Sequence, residues 1–474
     1  MPAIMEREGS RSSSTTSEAI AQQLHGTAAT AAAKESGLAP QNTSSSDTRD
    51  HVGPVASDDA FGNEQGAEIH YKTCAWWHTG VLMLAENVSL GVLSLPQALA
   101  ILGLVPGLLC IFFLGIIATY TGYIIGEFKL AYPRVQSFAD CGMLIGGPIL
   151  RDMFAAGQVL ILIFIQGAHI LTFSVAMNAI TDHAICTIWW NVIGMVVCLG
   201  LGLPRTFKNV SYLSIFSCLS IIIAVTVAMV AIGMEKPDVG NILALRPHVP
   251  LIKGLGPVLN IVLAYTGHVA FFSFQAELKD PRDFKKALFL EQGIAVVFYM
   301  TISVVIYYYA GPLVASPALG SASPIVTKIA FGIALPTIIV AGVVNGSVAC
   351  KYMYVRMWSG TNVVHQRSFR SMSSWYGICM VVWIISWLLA EVIPSFNTFL
   401  GFIGAMFGSW FSYAIPPCLW LYQYKSIIVT GIVIFALGMW SSVTELASGT
   451  SGRPFSCANN WQPTSWVAPP EKHV

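Results

Sequence analysis

Residues 76–96 read WWHTGVLMLAENVSLGVLSLP and begin the first strongly apolar segment of the chain. Continued to about Leu104, this segment is long enough to cross a bilayer. Near its middle lies Glu86, and a carboxylate costs about 2.5–3.5 kcal/mol at the centre of a membrane helix. Gly91 and Pro96 weaken the helix there, and opened backbone at that depth is tolerated only where it lines a cavity. The stretch predicts a broken membrane helix; a kinked scaffold helix with a buried structural glutamate is the alternative.

Composition restricts the class of protein. The 474 residues are 55% hydrophobic and 10% charged, with a mean hydropathy of +0.65, whereas ordinary globular domains are about 25% charged. These values predict a protein embedded in a lipid bilayer. The formal net charge is +1, and no Lys/Arg run suggests a nucleic-acid partner. The ten cysteines form no C-x-x-C pair, so no metal site and no cofactor are expected.

The chain is predicted to have three parts. Residues 1–73 form a Ser/Thr/Ala-rich leader that cannot bury enough apolar surface to fold, and we expect it to be disordered and cytosolic. Residues 74–447 form the transmembrane domain. Residues 448–474 form a short extracytosolic tail.

About eleven apolar segments are expected to cross the membrane. A polar connection, residues 133–151, is predicted to contain a surface helix. After the broken first span, which starts at Trp76, the segments are 105–130, 153–180, 188–203, 212–232, 255–277, 288–314, 325–350, 375–393, 396–422 and 426–443.

The positive charges predict the orientation. With the N-terminus inside, most Lys and Arg residues fall in inner loops, and the outer loops hold only Lys236, Arg246 and Lys253. The N-terminus is therefore expected in the cytosol and the C-terminus outside, in the plasma membrane or, as the alternative, the vacuolar membrane. Cys186 and Cys457 would then share the outer side, where a disulfide can form, but the sequence leaves their pairing open.

The sixth span is also interrupted, at Tyr265-Thr266-Gly267-His268. Breaks in spans one and six of eleven fall at matching places in two halves of five, the pattern of an inverted repeat. Free N–H groups around Gly91–Leu93 would attract a substrate carboxylate, and free carbonyls near Tyr265 would accept hydrogen bonds from an ammonium group. The two breaks together predict a site for a zwitterionic amino acid.

Three groups of residues carry a resemblance to a known family. They are 86–96; 260–265 with Glu277 and 284–286; and 316–319 with 330–336. In these residues the chain resembles the amino acid/auxin permease family of the amino acid–polyamine–organocation superfamily, most closely the neutral amino-acid permeases of filamentous fungi. The resemblance covers about residues 76–443. It implies an all-α, LeuT-like 5+5 inverted-repeat fold and uptake of neutral, aliphatic or aromatic amino acids, often driven by protons.

The substrate site is predicted from the two breaks and the third span. Gln166 is the candidate from the third span, where helix packing is the alternative for the small residues beside it. The predicted substrate-binding residues are Ser89, Gly91, Val92, Leu93, Tyr265, Thr266, Gly267 and Gln166.

Coupling residues are predicted from ionisable or oxygen-bearing side chains inside spans. Glu86 is the first candidate for the coupling proton, and a hydrogen-bonded structural group is an equal alternative. His268 and His169 are secondary candidates, since each can also be a neutral structural histidine. Asn345 and Ser347 could supply oxygens to a cation such as sodium, or hydrogen bonds between helices. Glu277 is the predicted inner gate.

The leading functional hypothesis is a secondary active transporter that imports neutral amino acids by proton symport. An amino-acid sensor on the same fold and a sodium-coupled transporter are the alternatives. An enzyme is not expected, because the sequence has no H-E-x-x-H, paired-aspartate or G-x-S-x-G motif. The expected partners are neutral amino acids, protons or sodium ions, and the lipid bilayer, with no nucleic acid.

Overall fold

The computed structural model describes residues 72, 74–204, 210–247, 249–358, 368–424, 430–447 and 457. Within these ranges the chain is helical apart from turns and one isolated bridge between Cys74 and Leu278. The predicted leader and the predicted tail lie outside the described residues, except for Lys72 and Cys457.

The α-helices are named α1 to α14 in chain order. Their bounds are Trp76–Asn87, Leu95–Leu102, Leu104–Ala131, Phe138–Thr181, Thr187–Gly202, Val210–Glu235, Leu251–Ala264, Phe271–Ala276, Phe284–Ala310, Pro324–Met357, Phe369–Val392, Phe396–Ile403, Ile415–Tyr424 and Thr430–Ala447. A π-helical segment, Gly404–Ala414, joins α12 to α13.

In the described residues each of the eleven predicted spans contains an α-helix. Eight helical spans in the described residues are long and apolar enough to cross a membrane, and the bent pair of α1 and α2 adds a ninth. The remaining two predicted segments correspond to α5 and α14, with 16 and 18 residues. The prediction of an all-α polytopic membrane protein is confirmed.

Packing divides the chain into two compact units. The smaller unit includes Tyr352–Gly377, where the Tyr354 and Ser371 hydroxyl oxygens lie 2.8 Å apart and the Tyr354 ring packs edge-on against Trp375. The larger unit includes Ala56–Lys351 and residues from Ile378 onward, and it contains both irregular spans.

The first break comprises residues 88–94. α1 ends at Asn87, and a 3₁₀ turn, Gly91–Ser94, leads into α2 at an angle of 45° to α1. The Ser94 hydroxyl donates to the Gly91 carbonyl oxygen at 2.8 Å, which satisfies one opened backbone group. Pro96 lies in the first turn of α2, where its missing N–H removes no helical hydrogen bond. The predicted interruption of the first span is confirmed.

The second break comprises residues 265–270. α7 ends at Ala264, and a turn and a short 3₁₀ segment, His268–Ala270, precede α8. The Thr266 hydroxyl turns back to donate to the Val262 carbonyl oxygen at 2.8 Å. The predicted interruption of the sixth span is also confirmed.

A short helix precedes the third span, as the sequence predicts. Ser137 and Asp140 cap the start of α4 reciprocally, and the helix kinks at Gly146 and Gly147. Gly147 has a φ of 73°, a conformation that glycine adopts without steric cost. The residues before this kink correspond to the helix predicted in the polar connection, and the third span begins after Gly147. The first residue of the short helix, Phe138, is buried against the aromatic rings of Phe272 and Phe411.

Two covalent or hydrogen-bonded links join distant parts of the larger unit. Cys186 and Cys457 form a disulfide across 271 residues of sequence, which supplies the pairing that the sequence leaves open. Cys74 N donates to Glu277 O at 3.1 Å, and Lys279 N donates to Cys74 O at 3.0 Å. The second link ties the residues before α1 to those after α8.

Candidate functional site

The two breaks lie against each other. A Cβ atom at Gly91 would be 2.7 Å from the Cα of Ala264, and one at Gly267 would be 2.9 Å from the Asn87 Oδ1 atom. Real Cβ atoms essentially never approach other atoms so closely, so glycine permits both contacts. The structure thus brings the predicted residues Gly91 and Gly267 to one place.

The first break presents backbone donors. Hydrogen bonding in its 3₁₀ turn starts with Leu93 N, which donates to Leu90 O at 3.1 Å. The leading N–H groups of a helix have no partner within that helix. In addition, the Ser89 hydroxyl has no hydrogen-bond partner among the described residues. Val92 and Leu93 are fully buried, so their side chains contribute packing at this place.

The second break presents its backbone, while its larger side chains point into helix contacts. The Tyr265 hydroxyl donates to the Ile111 carbonyl oxygen on α3 at 3.0 Å. The Thr266 hydroxyl packs against Gly408 of the π-helical segment; a Cβ atom at Gly408 would lie 2.8 Å from the hydroxyl oxygen. Any role of Tyr265 in binding would therefore use its main chain, as the sequence predicts for this break.

Glu86 contacts one of the two predicted cation-site residues. Its half-buried carboxyl group accepts a side-chain hydrogen bond from Asn345 of α10. Ser347, the other predicted residue, lies beside Gly202 of α5, and its hydroxyl has no partner among the described residues. The structure pairs Glu86 with Asn345 across two spans.

His268 links the second break to α3. Its Nε2 atom lies 2.9 Å from the Ala118 carbonyl oxygen and 3.0 Å from the Thr121 hydroxyl oxygen. Because a carbonyl oxygen can only accept, Nε2 carries a hydrogen in this arrangement. The ring is fully buried, with its centroid 4.7 Å from that of Phe271.

Gln166 and His169 connect α4 to neighbouring spans. The His169 Nδ1 atom lies 2.9 Å from the Ile338 carbonyl oxygen of α10. Ser386 of α11 donates to the Gln166 Oε1 atom at 3.3 Å, and the Gln166 amide fills the space beside Gly346. No described contact of these two side chains reaches either break.

Known proteins can be compared with this arrangement. A family model for transmembrane amino acid transporter proteins matches residues 72–442, well over half of the chain. The chain belongs to the transmembrane amino acid transporter family. An N amino acid transport system protein of Neurospora crassa is 30% identical over 444 residues, which cover 86% of this chain and 94% of that protein. A transmembrane transporter of Gibberella moniliformis is 27% identical, over 83% of this chain and 89% of that protein.

The structure of Mhp1 in an inward-facing conformation is similar in fold. It aligns with a TM-score of 0.53 and 10% identity, over 86% of this chain and 98% of Mhp1. The LeuT-like fold and the resemblance to amino acid/auxin permeases are thereby confirmed. The family consists of transporters rather than enzymes, so this chain is an amino acid transporter in a membrane.

Glu277 lies at the end of the transporter that we expect to be cytosolic. Its side chain is exposed, and partial desolvation of the carboxyl group raises its pKa. Nearby charges pair separately: Lys285 with Glu127 at 2.7 Å, and Lys286 with Asp283 at 2.8 Å. The inner-gate role of Glu277 stays a prediction.

Three residues of the transporter that were not predicted join the two breaks. The Asn87 Nδ2 atom donates to the Glu291 Oε1 atom of α9 at 2.5 Å. The Tyr299 hydroxyl lies 3.1 Å from the Asn87 carbonyl oxygen and 3.0 Å from the Ala264 carbonyl oxygen. The only signal in the sequence is a glutamate inside an apolar segment, since a contact across 204 residues has no local pattern.

The π-helical segment was not predicted either. It packs beside the second break, where Gly408 meets Thr266 and the Tyr413 ring lies 6.5 Å from that of His268. Such segments are rare and frequently found at functional sites. The amino-acid composition of a single sequence does not reveal where an α-helix changes to π-helical hydrogen bonding.

The close approach of the breaks can be tested at Gly91. We expect Gly91→Ala to lower uptake about tenfold or more, because the new methyl group would separate the first break from Ala264, and Gly91→Val to abolish uptake. Gly332→Ala is the matched control, since a Cβ there meets nothing within 4 Å. Amino-acid uptake at equal membrane abundance is the measurement. Equal uptake by Gly91→Ala and Gly332→Ala would remove Gly91 from the site.

Proposed function

We propose that the transporter imports neutral amino acids and is driven by proton symport. The single observation that supports this most directly is the contact between the two breaks. One break offers leading N–H groups and the Ser89 hydroxyl. The other offers carbonyl oxygens such as Gly267 O, which accepts from Ala270 N and has a second lone pair. A zwitterion needs donors for its carboxylate and acceptors for its ammonium group.

The charge of the two broken spans favours a neutral substrate side chain. Residues 76–102 contain no Lys or Arg, and the only one in residues 251–277 is Lys253, in the first turn of α7 and far along the chain from the break at 265–270. Neither break therefore has a fixed cation beside it for an acidic side chain. Both breaks are flanked by apolar residues, such as Val92 and Phe271. An aliphatic or aromatic side chain would face them without losing hydrogen bonds to water.

Proton coupling is proposed to act through Glu86. Its partner, Asn345, is uncharged and does not compensate a negative charge. A proton on Glu86 would lower repulsion toward the substrate carboxylate held at the same break, and loss of the proton inside the cell would favour release. The same carboxyl–amide pair is rich in oxygen atoms, which keeps sodium as the competing coupling ion.

The test is uptake by purified protein in proteoliposomes. An imposed inward proton gradient is expected to drive accumulation of a labelled neutral amino acid above its equilibrium level, with or without sodium. Accumulation that requires a sodium gradient and ignores the pH gradient would contradict proton symport and support the sodium alternative. Binding without accumulation under any gradient would support a sensor.

Glu86 gives a second prediction. Glu86→Gln mimics the protonated side chain, so we expect it to retain substrate exchange but to lose accumulation driven by a pH gradient. Glu445→Gln is the control, because Glu445 is also half-buried and hydrogen-bonded to a side chain, that of Thr398 at 3.3 Å. If Glu86→Gln accumulates substrate with an unchanged dependence on pH, Glu86 is structural.

We propose a plasma-membrane location with the N-terminus in the cytosol. The charge pattern supports this orientation, and so does the disulfide between Cys186 and Cys457, since disulfides persist in oxidising compartments and both residues would lie outside.

The orientation predicts the accessibility of tags. On intact cells, a tag after Val474 should bind antibody, while one before Met1 should bind only after permeabilisation. The reverse result would contradict the orientation, and labelling of neither tag on intact cells would favour an internal membrane such as that of the vacuole.

A further inference from the structure

Glu291 is a buried carboxyl group inside the seventh span. It is completely inaccessible to solvent and lies seven residues after Phe284, the first residue of α9, which places it about 10 Å from that end of the helix. The lysines at that end, Lys285 and Lys286, pair with Glu127 and Asp283. They do not compensate a charge on Glu291.

The contacts of Glu291 lead directly to the first break. Its Oε1 atom accepts from the Asn87 amide at 2.5 Å. The same amide has its Oδ1 atom against Gly267, and the Asn87 main chain accepts from Tyr299. The Oε2 atom has no partner in hydrogen-bond geometry among the described residues, although the Gln292 amide is close by. Glu291 is therefore connected to both breaks through one residue, Asn87.

The groups that face this carboxyl cannot compensate a negative charge. Its titratable neighbours are the phenols of Tyr265 and Tyr299, and Cys218 of α6 lies beyond Tyr299. No Lys, Arg or His in the described chain pairs with Glu291. Glu86, the residue before Asn87, is hydrogen-bonded to the side chain of Asn345 instead.

This environment has a physical consequence. An isolated ionised carboxylate in a dry, low-dielectric site is strongly unfavourable, whereas a neutral carboxyl loses only hydrogen bonds to water. The arrangement in the structure thus fits the protonated acid. Ionisation would be stabilised if water reached Oε2, which has no hydrogen-bond partner among the described residues.

We propose that Glu291 binds and releases a proton during transport and that its charge is communicated to the first break through Asn87. The proposal rests on the proposed proton-coupled function and adds a second titrating carboxyl to it. With the proton bound, Asn87 is held between Glu291 and Gly267 and the breaks stay in contact. When the proton leaves to the cytosol, the new negative charge repels the substrate carboxylate and draws water between the helices, so substrate is released.

The test is proton linkage measured by equilibrium binding. The probe is the labelled neutral amino acid that the wild-type protein takes up best, and the dissociation constant is measured from about pH 5 to about pH 8 without a gradient. A slope of one in log Kd against pH corresponds to one linked proton, or about a tenfold loss of affinity per pH unit. We expect a smaller slope for Glu291→Gln than for the wild type, and no slope for Glu86→Gln combined with Glu291→Gln.

Glu391 provides a matched control. It is also a buried glutamate whose Oε1 atom accepts from an asparagine amide, that of Asn191 at 3.1 Å, but it lies at the far end of α11. Glu391→Gln should retain the wild-type slope. Because Gln reproduces the neutral acid, Glu291→Gln is expected to reach the membrane in normal amounts.

Three results would overturn the proposal: a wild-type affinity independent of pH, an unchanged slope in Glu291→Gln, or loss of Glu291→Gln from the membrane, which would mean that the fold needs the ionised form. Failure of the proposed function would appear elsewhere, in wild-type liposomes that do not accumulate substrate under a proton gradient. The two failures are therefore distinguishable.

Discussion

The hydrogen bonds of the Tyr299 hydroxyl join the two breaks that form the site. Opened backbone inside a bilayer must find hydrogen-bond partners within the protein, because the lipid offers none. The carbonyl groups of Asn87 and Ala264 are released where α1 and α7 end, and Tyr299 reaches both from α9. One side chain on a third span thus stabilises both helix ends, and the glycines at the breaks allow the backbones to approach closely enough for it to do so.

Carboxyl–amide pairs recur in the transporter where salt bridges could have been used. Glu86 is bonded to Asn345, Glu291 to Asn87 and Glu391 to Asn191. A lysine or arginine partner would favour the ionised form of the acid, whereas an amide accommodates both the charged and the neutral form. Such a partner leaves a buried acid able to change its protonation state, as the proposed proton coupling requires of Glu86 and Glu291.

The sequence predicts features that depend on neighbours along the chain. Gly91 and Gly267 mark the breaks because each weakens a helix at its own position, and Pro96 does so because proline is favoured in the first turn of a helix. Apolar length alone defines the spans. Contacts between spans are different. The bond between Asn87 and Glu291 depends on which faces of α1 and α9 meet, and the burial of Tyr265 against α3 depends on a neighbour far away in sequence. The π-helical segment was not predicted, because a backbone slip leaves a weak local signal.

The short hydrogen-bonded bridge at Cys74 connects the start of the first broken span to the end of the second. Cys74 precedes α1, and its main chain is bonded on both sides to the residues that follow α8. This contact between the two half-helices lies outside the site formed by the breaks. Because Lys72 lies two residues before Cys74 in the sequence, a movement of the chain at Lys72 would act on the start of α1 and the end of α8 together.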